Sequence, residues 1–306
     1  MALRATPSKK KVAFLFRTYD GVNLPKRWAT FFAGASPDAY SLHVLTKSRD
    51  APFVPGTPAV IERARLAPDD WVETDYDGYK NVDGMLALLR VALRDERNVK
   101  FAYLSGACIP LKPIGRVLST LLADDLSDVR SSAGSFVEER CAPFQSVPEA
   151  FRRMGSSWMV LSRAHALLLT GCEAEMRAAF DLGGRLCCQD EHAFLTTLAL
   201  KGAEGPDQLR VCEEGIEDAT TFVNWGQSTY RFSCWNNGAV APGGEQALPP
   251  RVLAGMSPVN YNWIGEDELR YLEQVAPALF GRKFVRGCVV ISPTGMTLLD
   301  NFPLQK

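Results

Sequence analysis

Long hydrophobic runs and an excess of charge of one sign are both missing from this sequence of 306 residues. The first apolar run, from Val12 to Phe16, stops at Arg17, whereas a signal peptide needs about 7–15 apolar residues and a spanning helix about 20. With 34 Lys and Arg against 35 Asp and Glu, the net charge is −1. Such a chain has no basic field to hold nucleic acid or an anionic membrane. We therefore expect a soluble, cytoplasmic protein with no membrane span and no nucleic-acid partner.

Metal-binding patterns and the common catalytic motifs are also scarce. The eight cysteines show no C-x-x-C spacing, which disfavours a zinc site. Without an export signal we expect reduced thiols, although disulfides stay open. No G-x-G-x-x-G follows a strand, no G-x-x-x-x-G-K-[ST] or G-x-S-x-G occurs, and there are only three histidines. Dinucleotide, P-loop and Ser-His-Asp chemistries are therefore disfavoured.

What is present is an alternation of short β-type runs with longer helical patterns. Strands are predicted at 11–16, 40–46, 100–105, 157–161, 221–225 and 288–292, and helices at 83–96, 113–122, 163–180 and 266–279. This alternation predicts an α/β fold, with a mixed sheet flanked by helices in one large domain. We place a tail at 1–10, the sheet domain at 11–235, a flexible Gly- and Pro-rich loop at 236–250 and a C-terminal closing element at 251–306.

Four segments differ from ordinary core sequence. Their sequences are F-A-Y-L-S-G-A-C-I-P-L (101–111), R-R-M-G-S-S-W-M-V-L-S-R (152–163), D-E-H-A-F (190–194) and L-F-G-R-K-F (279–284). In the first, Ser105 and Gly106 end a strand, and small residues there let a ligand approach the backbone. The third opens a predicted amphipathic helix, and the fourth ends the predicted C-terminal helix.

In this order and spacing the segments resemble the core-2/I-branching glycosyltransferases, most closely the plant core-2/I-branching-like proteins. The resemblance spans roughly residues 10 to 290, and S-G-x-C-I-P-L, D-E-H and L-F-x-R-K-F are its most specific parts. It implies a GT-A-like (Rossmann-like) catalytic domain. It also implies an inverting transfer of a sugar from a UDP-sugar to a hydroxyl of a glycan or glycoconjugate acceptor, with no metal or other cofactor.

The resemblance places the catalytic base at Glu191, beside Asp190. An ionised glutamate can take the proton of the acceptor hydroxyl as that oxygen attacks the anomeric carbon. The alternative is that Asp190 and Glu191 are ordinary acidic residues at a helix start. In that case Asp190 would contribute to helix stability rather than to the reaction.

The resemblance also implies donor-binding residues. Lys283, with Arg282 beside it, would hold the diphosphate in place of a metal, although both could equally be solvated cations after a helix end. For the second diphosphate cation, Arg251 is the nearest candidate and Arg286 another. The base and ribose are expected at Phe16, Arg17 and Thr18, and Ser105 and Gly106 stand where metal-dependent GT-A enzymes have an acidic pair.

Acceptor contacts are expected from Trp225, Trp158 and Arg153. A sugar's C–H face packs well on an aromatic ring, so Trp225 suits an acceptor sugar, although core packing would equally explain it. Trp158 would shape the pocket wall. Arg153 could meet an acidic ligand or be a surface charge.

Two other classes of function stay open. A metal-dependent hydrolase would combine Asp190, Glu191 and His192 with the D-x-D sequence at Asp75 and Asp77. A sugar- or nucleotide-binding module without catalysis would bind the donor and turn nothing over.

Overall fold

The computed structural model describes residues 9–75, 78–130, 147–181, 188–212, 220–223 and 260–304. In chain order, the strands are β1 (Lys11–Thr18), β2 (Tyr40–Thr46), β3 (Asn98–Ser105), β4 (Ile109–Pro110), β5 (Ser127–Arg130), β6 (Val160–Ser162), β7 (Leu209–Cys212), β8 (Thr221–Val223), β9 (Tyr261–Gly265), β10 (Phe280–Arg282), β11 (Phe284–Ser292) and β12 (Gly295–Leu298). The α-helices are α1 (Pro25–Ala33), α2 (Ala59–Glu62), α3 (Lys80–Leu93), α4 (Ile114–Leu121), α5 (Arg163–Gly171), α6 (Glu173–Phe180), α7 (Ala193–Leu200) and α8 (Glu266–Gln274).

A six-stranded mixed sheet in the order β2-β1-β3-β6-β5-β7 forms the centre of the protein. β1 runs parallel to both β2 and β3, while β6 is antiparallel to β3 and β5. The chain leaves β1 toward one side and returns to β3 on the other, so the carboxyl ends of β1 and β3 meet at a switch point. Arg17 lies opposite Ser105 there. Open α/β sheets bind ligands at such a point.

Alternating side chains of β1 enter two different cores, because successive side chains of a strand point to opposite faces. Ala13 and Leu15 pack with α3, α5 and α7 on one face. Phe14 and Phe16 pack with the aromatic side chains of α1 and with α4 on the other. Helices therefore cover both faces of the sheet, which confirms the predicted α/β class with a mixed sheet flanked by helices.

Two smaller three-stranded sheets complete the fold, in the orders β4-β10-β8 and β12-β11-β9. α8 packs on β9 and β11 and adds Leu269 and Leu272 to a third core. The backbone N–H of Phe284 donates to the carbonyl of Ala107 at 2.9 Å. The C-terminal strands therefore bring residues 282–284 directly beside the end of β3.

Three local predictions are wrong. The span 163–180 is two helices that meet at Cys172, because the turn there redirects the chain around the core. The last long helix ends at Gln274, and residues 280–282 form a strand because they pair with both β4 and β8. α7 is buried around nearly its whole circumference, so it is not amphipathic. The predicted loop 236–250 lies outside the described residues.

No helix in the described ranges is both long and apolar enough to span a membrane.

Candidate active site

The floor of the site is formed by the loops that follow β1 and β3. A Cβ at Gly106 would collide with the carbonyl oxygen of Gly21, so only glycine allows these backbones to touch. The N–H of Asn23 donates to the carbonyl of Gly106 at 2.7 Å, and the N–H of Gly21 donates to Oγ1 of Thr18 at 3.0 Å. Gly106 therefore joins the two loops, and Thr18 shapes the loop after β1; both are predicted donor-site residues.

Arg282 lies against this floor. Its Nε donates to Oγ of Ser105 at 3.4 Å, and its guanidinium lies 4.2 Å from the centre of the Trp158 ring. The guanidinium of Arg17 lies 5.6 Å from the centre of the same ring. A cation within about 6 Å of a ring centre is attracted to it, so Trp158 holds two arginines at the switch point and forms part of the wall of the site.

Lys283 is the second cation beside the floor. Burial, and then repulsion by the charge of Arg282, lowers the pKa of its ammonium. Within the described ranges this ammonium donates no hydrogen bond, while its backbone carbonyl accepts from the N–H of Tyr261 at 2.8 Å. Arg282 ends β10 and Lys283 follows it. The alternative that both are solvated charges after a helix end is therefore wrong. Two adjacent cations held this way favour a ligand with several negative charges.

Glu191 ends a short 3₁₀ turn, Gln189–Glu191, that leads into α7. Its N–H donates to the carbonyl of Cys188 at 2.9 Å, and its own carbonyl accepts from the N–H of Gly155 at 2.8 Å. Cys188 has a left-handed φ of 67°, which reverses the chain into the turn. Both ends of the Glu191 backbone are therefore fixed, and the residue is half-buried just ahead of α7.

Asp190 has a different role from the one expected of a helix-start residue. Its Oδ2 accepts from Nη2 of Arg17 at 2.9 Å and from Oγ of Ser157 at 2.8 Å. α7 begins at Ala193, and its cap, His192, makes no side-chain capping bond. The side chain of Asp190 therefore does not cap α7, and its carboxylate is used in a long-range ion pair.

Of the remaining predicted donor residues, Phe16 does not reach the site. Its ring is fully buried and lies 4.9 Å from the Trp28 ring, centre to centre, so no ligand contact by this side chain is supported. Arg17 reaches the site, but its charge is already paired with the carboxylate of Asp190. Arg286 is exposed and pairs with Asp20 at 2.9 Å.

On the acceptor side, the guanidinium of Arg153 binds both carboxylate oxygens of Glu204, at 3.0 and 2.6 Å. This ion pair already compensates the charge that was expected to meet an acidic ligand. Trp225 and Arg251 lie outside the described residues.

Sequence reasoning did not single out two residues that the structure places beside the candidate site. Tyr19 follows β1 directly and is 76% exposed, an unusual position for an aromatic ring in the loop beside the switch point. An aromatic residue one position past a buried strand is a signal that could have identified it. Ser157 gives no such signal, because its contact with Asp190 spans 33 positions of the chain.

The residues of the proposed hydrolase do not assemble in the described part of the chain. Asp75 lies 3.7 Å from the ammonium of Lys47, and Asp77 lies outside the described residues. His192 is buried, with Nδ1 3.0 Å from the carbonyl oxygen of Arg153. Within the described ranges no group of three His, Cys, Asp or Glu side chains is placed to hold a metal ion. Fold and site together define an α/β protein with a cluster of cationic side chains at the switch point of its sheet.

Comparison with known proteins identifies the family. Residues 12–245 match the family model of the core-2/I-branching enzyme. Glycosyltransferase BC10 of Oryza sativa subsp. japonica is 27% identical over 338 residues, which cover 96% of this chain and 77% of the relative. The chain therefore belongs to the core-2/I-branching family of glycosyltransferases, and the resemblance read from its sequence is confirmed.

Among solved structures, two of LgtC are similar, an active-site mutant and the galactosyltransferase in complex with donor and acceptor sugar analogues. Each is 11% identical to this chain, with a TM-score of 0.41, and the alignment covers 89% of this chain and 86% of the other. The assignment rests on the family model and not on these two structures.

Proposed function

We propose that this glycosyltransferase is an inverting enzyme that transfers a sugar from a UDP-sugar to a hydroxyl of a glycan or glycoconjugate, without a metal. The observation that carries the proposal is the placement of Arg282 and Lys283 at the carboxyl ends of β1 and β3. Ser105 and Gly106 form the floor there, with no acidic side chain among them. A departing UDP gains negative charge, and fixed cations stabilise that charge as a metal would.

Glu191 is the proposed base. Single displacement with inversion requires one carboxylate on the acceptor side of the anomeric carbon, and the acceptor oxygen bonds to that carbon as its proton passes to Glu191. The neighbouring carboxylate of Asp190 is bound by Arg17 and Ser157, so its Oδ2 is already engaged within the protein. Glu191 is the partly exposed member of the acidic pair.

The metal-free part of the proposal is tested by calorimetry of UDP binding in excess EDTA. We expect binding in EDTA and no gain in affinity on adding manganese. Binding that disappears in EDTA and returns with manganese would reject a metal-free site. A melting-temperature screen of nucleotide sugars identifies the donor, because a ligand that binds the folded state raises stability.

The catalytic part is tested with Glu191→Gln, which keeps the size of the side chain and removes its ability to take a proton. Turnover should fall by about 10²–10⁴-fold, with little change in UDP affinity. Glu175→Gln is the matched control, since Glu175 is an exposed glutamate paired with Lys201 on the helical face of the protein. Near-normal transfer by Glu191→Gln would place the base elsewhere, and the anomeric configuration of the product, read by NMR, tests inversion directly.

A further inference from the structure

Asp190 lies where three separate segments of the chain meet. One oxygen, Oδ2, accepts both the 2.9 Å bond from Arg17 and the 2.8 Å bond from Ser157. The side chains of Asp190 and Arg17 are only 10% and 16% exposed. An ion pair so shielded from water is costly to break from one side, because the remaining charge stays buried without a partner.

The two partners of Asp190 both lead to the proposed diphosphate site. Arg17 is opposite Ser105 at the ends of β1 and β3. Ser157 directly precedes Trp158, whose ring lies against the guanidinium of Arg282 at 4.2 Å. A continuous set of contacts therefore joins the turn that carries Glu191 to a cation of the diphosphate site.

The ion pair also compensates the charge of one cation at this edge of the sheet. Arg17, Arg282 and Lys283 all lie at one edge of the sheet. Asp190 neutralises the first of them, while the other two are the cations proposed to bind the diphosphate. Arg17 additionally donates to the carbonyl of Asn81 at 3.3 Å, so its guanidinium also links the site to the start of α3.

We infer that the ion pair of Asp190 with Arg17 is a positioning element, which fixes the carboxylate of Glu191 relative to the diphosphate cations. The inference rests on the proposed transfer reaction. It adds that Asp190 and Arg17 act through Glu191 and do not themselves touch the substrate.

The experiment compares Asp190→Asn, Arg17→Gln and the double variant with the wild type, in full-length protein well below each melting temperature. We expect Asp190→Asn to lower kcat about 10- to 100-fold, because misplacing a reacting group by about 1 Å costs that much. UDP affinity should stay equal or increase, because the charge of Arg17 is no longer compensated. The double variant should lose no more activity than Asp190→Asn alone, since both changes break one contact.

Two further variants keep the test valid if Asp190→Asn does not fold. Arg17→Lys retains the charge but loses the planar guanidinium, and we expect a smaller loss of kcat. Ser157→Ala retains the ion pair, so most activity should remain. A loss of kcat in Ser157→Ala as large as that in Arg17→Gln would overturn a role for the ion pair itself.

The outcomes separate this inference from the proposed function. A wild-type protein that binds UDP yet transfers no sugar overturns both. An active wild type with unchanged kcat and a lower melting temperature in Asp190→Asn shows a structural role only, and overturns the positioning role alone. Loss of kcat and of UDP affinity by the same factor also contradicts positioning, because the donor site itself would then have changed.

Discussion

At the scale of single residues, Lys283 shows how burial prepares a side chain for an anion. Burial and the adjacent charge of Arg282 lower the pKa of its ammonium from the ordinary value of 10.5. A bound diphosphate would provide the missing negative charge and raise that pKa again. The free protein therefore disfavours the charged form of the lysine, and the negative charge of a bound diphosphate would compensate this cost.

This coupling predicts that UDP binding takes up a proton at alkaline pH. Between the lowered pKa of the free protein and the higher pKa of the complex, the lysine is partly neutral when free and charged when bound. UDP affinity should therefore fall as the pH rises through the pKa of the free protein. Calorimetry above pH ~8, where the phosphates of UDP are fully ionised, measures the uptake in two buffers of different ionisation enthalpy.

Lys283→Ala should remove this proton uptake and weaken UDP binding by about 1.5–3 kcal/mol, the usual value for hydrogen bonds to charged groups. Lys201→Ala, which removes an exposed lysine paired with Glu175, is the control. Proton uptake that persists in Lys283→Ala would assign it to another group.

Tyr19 gives a second prediction at this scale. Its ring is 76% exposed at the carboxyl end of β1, where the nucleotide is expected, and an aromatic ring can stack on a base. Tyr19→Ala should weaken UDP binding by roughly 1–3 kcal/mol, the range found when aromatic residues that stack on bases are truncated. Tyr19→Phe should bind like the wild type. Equal binding by all three proteins would show that the ring does not contact the nucleotide.

At the scale of secondary-structure elements, the close contact of two loops makes Gly106 the critical position. A side chain there would meet the backbone of Gly21, and backbone cannot rotate away as a flexible side chain can. Gly106→Ala should lower the free energy of unfolding by about 1–3 kcal/mol, as for other overpacked sites. It should also weaken UDP binding, because the floor of the site moves.

The control is Gly115→Ala in α4, where a Cβ would have no neighbour within 4 Å. Alanine is favoured over glycine in helices by up to about 1 kcal/mol, so this variant should be neutral or more stable. Urea denaturation of both variants gives the comparison. A Gly106→Ala variant as stable as Gly115→Ala would mean that the two loops separate without cost.

The same elements show which parts of the fold can be predicted from the sequence. β2 has the predicted bounds, and β1 extends the predicted strand by two residues, because a short apolar run rich in β-type residues is typical of a buried strand. Residues 279–284 were assigned to a helix end, since no local pattern reveals pairing with β4 and β8. The ion pair of Asp190 was not foreseen for the same reason, as its partner Arg17 is 173 positions away.

At the scale of the whole molecule, one buried ion pair joins the beginning of the chain to its end. The guanidinium of Arg27, in α1, is fully buried and bonds to Glu273, in α8. Arg27 also donates to the carbonyl of Pro110 at 3.2 Å, and the ammonium of Lys112 donates to the carbonyl of Glu273 at 2.6 Å. The elements around Lys283 are thus attached to the main sheet partly through charge.

Glu273→Ala should therefore cost about 3–5 kcal/mol of folding free energy, because it leaves Arg27 as an unpaired buried charge. The double variant Arg27→Met with Glu273→Leu should regain most of that loss, since apolar side chains of similar volume need no partner there. Urea denaturation of Glu273→Ala and of the double variant measures these changes. A double variant no more stable than Glu273→Ala would contradict the expected gain in stability. The UDP affinity of the double variant should stay close to that of the wild type. α1 and α8 support Lys283 through packing, and the two substitutions leave the cations proposed to contact the ligand unchanged.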